Sequence, residues 1–112
     1  MDKIIKYKQI AQIIVDEVLE MMKNVDNLET FEVNETAKGH YVLMTDGWEN
    51  TERSYGPLVH IEVKENGKVW LRYDGTDLEI GRQLLEKGVE KEDLVLAFYS
   101  PAMRKHTGFA LA

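Results

Sequence analysis

Leu58-Val59-His60-Ile61-Glu62-Val63-Lys64-Glu65-Asn66-Gly67-Lys68-Val69-Trp70-Leu71-Arg72-Tyr73-Asp74-Gly75-Thr76 holds two alternating apolar and polar runs on either side of a turn signal. A two-residue loop at Asn66-Gly67 sets Ile61 opposite Arg72 and Val59 opposite Asp74, mixing apolar with charged groups on one face. Because a slip of one residue moves every side chain to the other face, that register is rejected. A three-residue loop, Glu65-Asn66-Gly67, with Gly67 in the left-handed conformation of a bulge, pairs Val63 with Val69, Ile61 with Leu71 and Val59 with Tyr73. All six then share the core face. The opposite face carries His60 across from Arg72 and Glu62 across from Trp70, with Asp74 one step beyond Arg72.

Downstream, Asp74-Gly75 ends the strand, and Thr76 with Glu79 three residues on forms a capping box for a helix over about Asp77 to Lys87. Ile80, Leu84 and Leu85 face inward, and Gly88 stands where a left-handed residue is wanted just past the last turn, followed by Val89. The run Glu90-Lys91-Glu92-Asp93 reads as a solvated turn. Leu94 to Phe98 is apolar throughout, the pattern of a short strand buried on both faces. Strand, helix and strand in this order make a right-handed crossover if the strands are parallel, and the pattern leaves their orientation open. After Ser100-Pro101 the tail is basic and then apolar, from Arg104 through Thr107 and Phe109 to Ala112. Such an ending is expected to dock, on this chain's own core or on a partner.

Upstream, apolar residues at Ile4, Tyr7, Ala11, Ile14, Val18, Met21 and Val25 alternate steps of three and four, which predicts a helix over about Lys3 to Lys23. A second row, Val15, Leu19 and Met22, widens the stripe, either for a deep cradle in the sheet or for a second copy of the chain. Glu29 to Thr36 alternates as a half-buried edge strand does, with Phe31 and Val33 on one side and Glu32 and Asn34 on the other. A turn at Ala37-Lys38-Gly39 leads to a more interior strand, His40 to Thr45. A loop follows over 46–53, with Trp48 and Tyr55 as core anchors flanking it, before the strand beginning at Leu58. The reading as a whole is one α+β domain over residues 1–112: a helix, an antiparallel sheet of about four strands, a second helix and a further strand.

Bulk properties bound the function. The chain has 112 residues, 14 Lys and Arg against 20 Asp and Glu for a formal net charge of −6, and no cysteine. Disulfides, thiolate metal sites and cysteine nucleophiles are thereby excluded. The absence of a membrane-length apolar run or a signal-like N-terminus leads us to expect a cytoplasmic protein. A surface of net negative sign repels phosphate backbones, so direct nucleic-acid binding is not expected. The three histidines, at positions 40, 60 and 106, lack metal-ligand spacing, no glycine-rich phosphate loop occurs, and no cofactor is expected. Tyr73-Asp74-Gly75-Thr76 shares part of the Asp-x-Asp-Gly-Thr motif of haloacid-dehalogenase-like phosphatases, but Arg72 stands where the nucleophilic aspartate belongs.

His60, Glu62, Trp70, Arg72 and Asp74 form the one polar constellation with a defined geometry. Cross-strand pairs on a solvated sheet face account for it without any function, at up to about 1 kcal/mol each. As chemistry it is a histidine base oriented by Asp74, with Arg72 holding an anion, in a small enzyme or ligand-binding domain. As a binding surface it presents a tryptophan and an arginine, the residues interface hot spots favour. Of the two functional readings the last is preferred, with no catalytic residue and no metal.

The chain resembles the XisI family, the controlling factors of fdxN-element excision. The resemblance rests on Gly47-Trp48, His60-Ile61, Lys68-Val69-Trp70, Asp74-Gly75-Thr76, Gly88-Val89 through Phe98, Arg104 and the Thr107-to-Ala112 ending, in that order and spacing. Departures from the family pattern are Glu90 for a proline, Tyr99 for a histidine, His106 for a tyrosine, and Gly81-Arg82. The resemblance implies a regulatory accessory factor in a site-specific DNA rearrangement, working beside an XisH-like protein and a recombinase complex, and it supplies no catalytic residues. Partner-binding residues expected on this basis are His60, Glu62, Trp70, Arg72, Asp74, Arg104, Thr107 and Phe109, in a protein expected to be a homodimer.

Overall fold

In the computed structural model, which describes residues 2–112, helix α1 (Lys3–Met22) is followed by strands β1 (Leu28–Glu32), β2 (His40–Glu49), β3 (Glu52–Val63) and β4 (Val69–Asp74). Then come α2 (Ile80–Lys87), β5 (Leu94–Leu96) and a short α3 (Pro101–Arg104). The strands form one sheet in the order β1-β2-β3-β4-β5. The first four are antiparallel to their neighbours, and β5 lies parallel to β4 with Val69 beside Leu94 and Leu71 beside Leu96. The fold is α+β, and the further strand joins the sheet as its parallel member.

Helix α1 starts at Asp2, whose carboxylate accepts the amide hydrogen of Ile4, satisfying one orphan donor of the first turn. Its buried residues Tyr7, Ile10, Ala11, Ile14, Val15 and Val18 recur at helical spacing and cover Tyr41, Leu43, Val59, Ile61, Val63, Val69 and Leu71 of the sheet together with Ile80 and Leu84 of α2. Full burial of each such side chain contributes about 1.5–3 kcal/mol. Val15 is fully buried and Leu19 and Met22 pack on the same core, so the wide apolar stripe is absorbed within the chain. Met21 and Val25, assigned to that stripe from the sequence, are instead exposed.

The hairpin closes through Glu65-Asn66-Gly67: Lys64 and Lys68 form the last backbone pair, and Gly67 sits at φ +86°. Val63 pairs with Val69 and Ile61 with Leu71, as the sequence requires. A bulge then intervenes. Arg72 is the extra residue, so His60 pairs with Tyr73 and Val59 with Asp74, in place of the expected Val59–Tyr73 and His60–Arg72 pairs. Tyr73 is consequently 47% exposed and not in the core.

Three further elements differ from expectation. Residues 46–53 are not a loop but the distal arms of β2 and β3, joined at Asn50-Thr51 with Asn50 at φ +57°. Trp48 and Tyr55 are 54% and 62% exposed on that arm, not core anchors, because the hairpin extends beyond what α1 covers. Strand β1 ends at Glu32 and not at Thr36, where a single 3-10 turn begins. The expected capping box is absent: Glu79 has φ +53° and no side-chain cap bond, and Asp74 serves the helix start instead. At the other end Gly88 and Val89 donate to the carbonyls of Leu85 and Leu84, closing α2 as a Schellman motif with Val89 buried. In β5, Leu94 and Val95 are fully buried while Phe98 is 49% exposed, so the buried strand is shorter than its apolar run.

Candidate functional site

The sheet face turned away from α1 and α2 carries His60 and Glu62 from β3, Trp70 from β4 and Arg72 from the bulge, and β2 adds His40, which sequence reasoning missed. His40 Nδ1 lies 3.0 Å from His60 Nε2, so the two rings share one hydrogen bond, one nitrogen donating and the other accepting. His40 Nε2 is 3.7 Å from a Glu62 oxygen. Arg72 donates to Glu62 Oε1 from Nε at 2.7 Å and from its terminal nitrogen at 2.6 Å. Burial, together with the neighbouring His40 and Arg72, holds His60 below the ordinary imidazole range, against the opposing pull of Glu62. The His60 ring is therefore neutral near pH 7.

Trp70 is the centre of a second layer of contacts. Its ring centroid lies 4.3 Å from Lys64 Nζ, 5.0 Å from the Arg72 guanidinium and 5.2 Å from that of Arg104. Cations seated on an indole face are held by the ring quadrupole. Three cations meet one carboxylate, Glu62, in a chain whose overall charge is −6. The indole Nε1 is buried with no hydrogen-bond partner among the described residues.

Five of the eight residues singled out from the sequence thus come together: His60, Glu62, Trp70, Arg72 and Arg104. Asp74 does not. Its two oxygens accept from the Thr76 amide at 2.9 Å, the Thr76 hydroxyl at 2.6 Å and the Ile80 amide at 3.0 Å, which commits the carboxylate to the start of α2. The histidine base oriented by Asp74 is accordingly replaced by an imidazole bonded to a second imidazole. Arg104 also donates to the carbonyls of Ala97, Tyr99 and Leu111, and Thr107 accepts the amide hydrogen of Phe109 while donating to the Arg104 carbonyl. With Phe109 packed on the core and the Ala110 amide donating to Leu94, the tail docks on its own chain.

A second polar cluster lies at the opposite face. Asp93, read from the sequence as part of a solvated turn, is 5% exposed. It accepts from the Tyr7 hydroxyl at 2.7 Å and from Lys3 at 3.3 Å, with Lys68 at 3.7 Å. Burial alone pushes this carboxyl up, but Tyr7, Lys3 and Lys68 outweigh it and hold it below the usual range. Tyr7 is pushed up to about 12, by burial first and by Asp93 second. Its oxygen also accepts the Glu90 amide hydrogen at 3.1 Å. All the partners are internal, so this cluster fastens α1 to the turn before β5. No group of three or more His, Asp or Glu able to hold a metal occurs among the described residues, and no described helix is long and apolar enough to cross a membrane.

The comparisons with known proteins agree with this architecture. The family model described as XisI protein matches residues 1–111. The crystal structure of an XisI-like protein from Anabaena variabilis is 28% identical, with a TM-score of 0.87 over 97% of this chain and 99% of that one. The fdxN element excision controlling factor XisI from the same organism is 25% identical, with a TM-score of 0.84 over 99% of this chain and 100% of that one. No curated protein matches. With a match along nearly its whole length and the same fold in both of these structures, the chain belongs to the XisI family.

Proposed function

We propose that this protein is a non-enzymatic regulator of site-specific DNA rearrangement, of the kind its similarity to the excision controlling factor from Anabaena variabilis suggests. It works in the cytoplasm as a homodimer, through contacts with an XisH-like companion and, through that companion, a recombinase complex. The observation that carries this reading is Trp70 with Lys64, Arg72 and Arg104 gathered on it, a cationic and aromatic patch on an otherwise acidic chain. Such a patch suits an acidic polypeptide segment, since buried aromatic and arginine anchors dominate protein interfaces. DNA is a poorer fit. Phosphate backbones are gripped by many spread cations, and here the net charge opposes approach.

Co-expression with an XisH-like companion and affinity capture test this directly. The wild-type chain should retain the companion, and Lys64→Glu with Arg72→Glu should weaken capture by about 10–100-fold while leaving the circular dichroism unchanged. Capture indifferent to both charges speaks against the patch. The competing reading, a small enzyme or ligand-binding domain using His60, Arg72 and Asp74, needs a carboxylate that α2 already occupies. A turnover abolished by His60→Ala would restore it. Direct DNA binding through Arg104 and Lys105 requires a mobility shift at low salt that fades as salt rises.

A further inference from the structure

An antiparallel sheet covered on one side usually turns polar side chains to water on the other. Here the face opposite α1 carries Phe31, Val33, Val42, Met44, Trp48 and Tyr55, none of which joins the core cluster. Over β4 and β5 the same face is closed: Val95, paired beside Trp70, is fully buried. Over β1 to β3 no described residue closes it, and Val33 is left 53% exposed along with Trp48 and Tyr55. Exposed apolar surface of this extent marks an interaction site.

Charge tells what can lie there. With the Trp70 patch counted at its rim, the open face holds Glu29, Glu35, Asp46 and Glu62 against Arg53, Lys64, Arg72 and Arg104, so it is neutral in a chain of net charge −6. Asp46 is already paired with Arg53, and Glu62 with Arg72. Two equally acidic molecules repel one another everywhere except through a face that is apolar and charge-balanced. A two-fold contact also requires a patch able to meet itself, and one with balanced signs satisfies this where a patch of one sign does not. The size suits a modest contact: strands of 5, 10 and 12 residues at ~3.3 Å each and ~4.8 Å apart span on the order of 430 Å² in projection. With side-chain relief that comes to the small end of specific contacts, ~600 Å² per partner.

We infer that a second copy of this chain covers the open face of β1 to β3, sheet on sheet, leaving the Trp70 patch at the rim for the companion. This deepens the homodimer proposed above by naming its surface. Sheets packed this way interdigitate side chains about 10 Å apart.

Sedimentation of the full chain from nanomolar to high micromolar concentration tests it. The wild type should pass from monomer to dimer. Met44→Glu and Tyr55→Glu each place two extra negative charges across a two-fold contact and should weaken the dimer by about 100-fold or more. Tyr55 is exposed on the hairpin arm, so its variant keeps the fold if Met44→Glu does not. A chain that stays monomeric throughout the range overturns the inference and the dimer together. A dimer that survives both glutamates overturns the surface alone. Capture of the companion by the monomeric variants, measured in parallel, reports on the regulatory reading independently.

Discussion

On the helix-covered side of the sheet, Asp93 is 5% exposed and its oxygens meet Tyr7, Lys3 and Lys68. On the other side, His60 meets His40, and Glu62 meets Arg72, with Lys64 and Arg72 held over Trp70 and still reaching solvent. Each cluster joins strands or helices distant in sequence, yet they differ in what they leave over. The Asp93 cluster is closed by its own elements, and its carboxylate is fully used. The open cluster has one carboxylate for three cations, and apolar neighbours facing water. A buried polar group satisfied within the chain stabilises, while cations in excess of their carboxylate beside exposed apolar side chains are free to meet a partner.

The largest expected effect contrasts the two faces directly. Ile61 is fully buried under α1, and Ile61→Ala should cost about 3–4 kcal/mol in urea unfolding, by lost transfer energy plus a cavity. Met44 lies on the open face outside the core cluster, and Met44→Ala, measured at concentrations where the chain is monomeric, should cost less than about 1 kcal/mol. Equal losses at the two positions contradict the division of the sheet into a closed and an open face.

Asp93→Ala comes next. It leaves the Tyr7 hydroxyl buried and Lys3 and Lys68 without their counter-charge, for about 2–3 kcal/mol, the lower end for a broken buried pair because Lys3 is half-exposed. The Asp93 carboxyl is held below its usual range, so the stability it confers is present above the unfolded value of 3.8 and lost as pH falls through the lower folded value. Unfolding midpoints of wild type and Asp93→Ala should therefore converge in strong acid. A gap that stays constant down to about pH 2 rules the ion cluster out as its source.

What the sequence made legible follows from where the physics is local. The three-residue loop at Glu65-Asn66-Gly67 could be derived because a wrong register puts Arg72 in a core. Gly88-Val89 was equally readable, since the left-handed position and the apolar residue after it belong to one short motif. The bulge at Arg72 was not, because alternation continues unbroken through Leu71-Arg72-Tyr73 and only the partner strand reveals the extra residue. That slip moved Asp74 to the helix side and detached it from His60. His40 was missed for a related reason: its place beside His60 depends on the register of β2 against β3, where a further irregularity at Leu58 intervenes. The arm over 48–53 gave no alternation because it is the tip of the hairpin, exposed on both sides. Asp93 sits among Glu90, Lys91 and Glu92, and nothing in a run of charges distinguishes the buried one.

A smaller effect separates Asp74 from the cluster in which the sequence placed it. Asp74→Ala removes the acceptor of the Ile80 amide and both Thr76 bonds, so it should cost about 1–2 kcal/mol, the price of a helix cap. Companion capture should be unchanged at temperatures well below unfolding. Loss of capture with no loss of stability returns Asp74 to the binding surface.

The smallest effect concerns His60, whose neighbours across the sheet are His40, Glu62 and Arg72. Its folded pKa lies below the unfolded value of 6.5, so between the two the unfolded chain binds more protons and stability rises with pH. The contribution is whole above 6.5 and is lost as pH falls toward the folded value, a window separate from the one governed by Asp93. Lowering the pH from about 7 to about 5.5 should reduce the melting temperature, and His60→Gln, neutral at every pH, should flatten that slope. The same acidification charges His60 on the open face, so self-association should weaken in the same window and less so in the variant. A melting profile with the same slope in wild type and His60→Gln shows that the His60 imidazole is not held neutral by this fold.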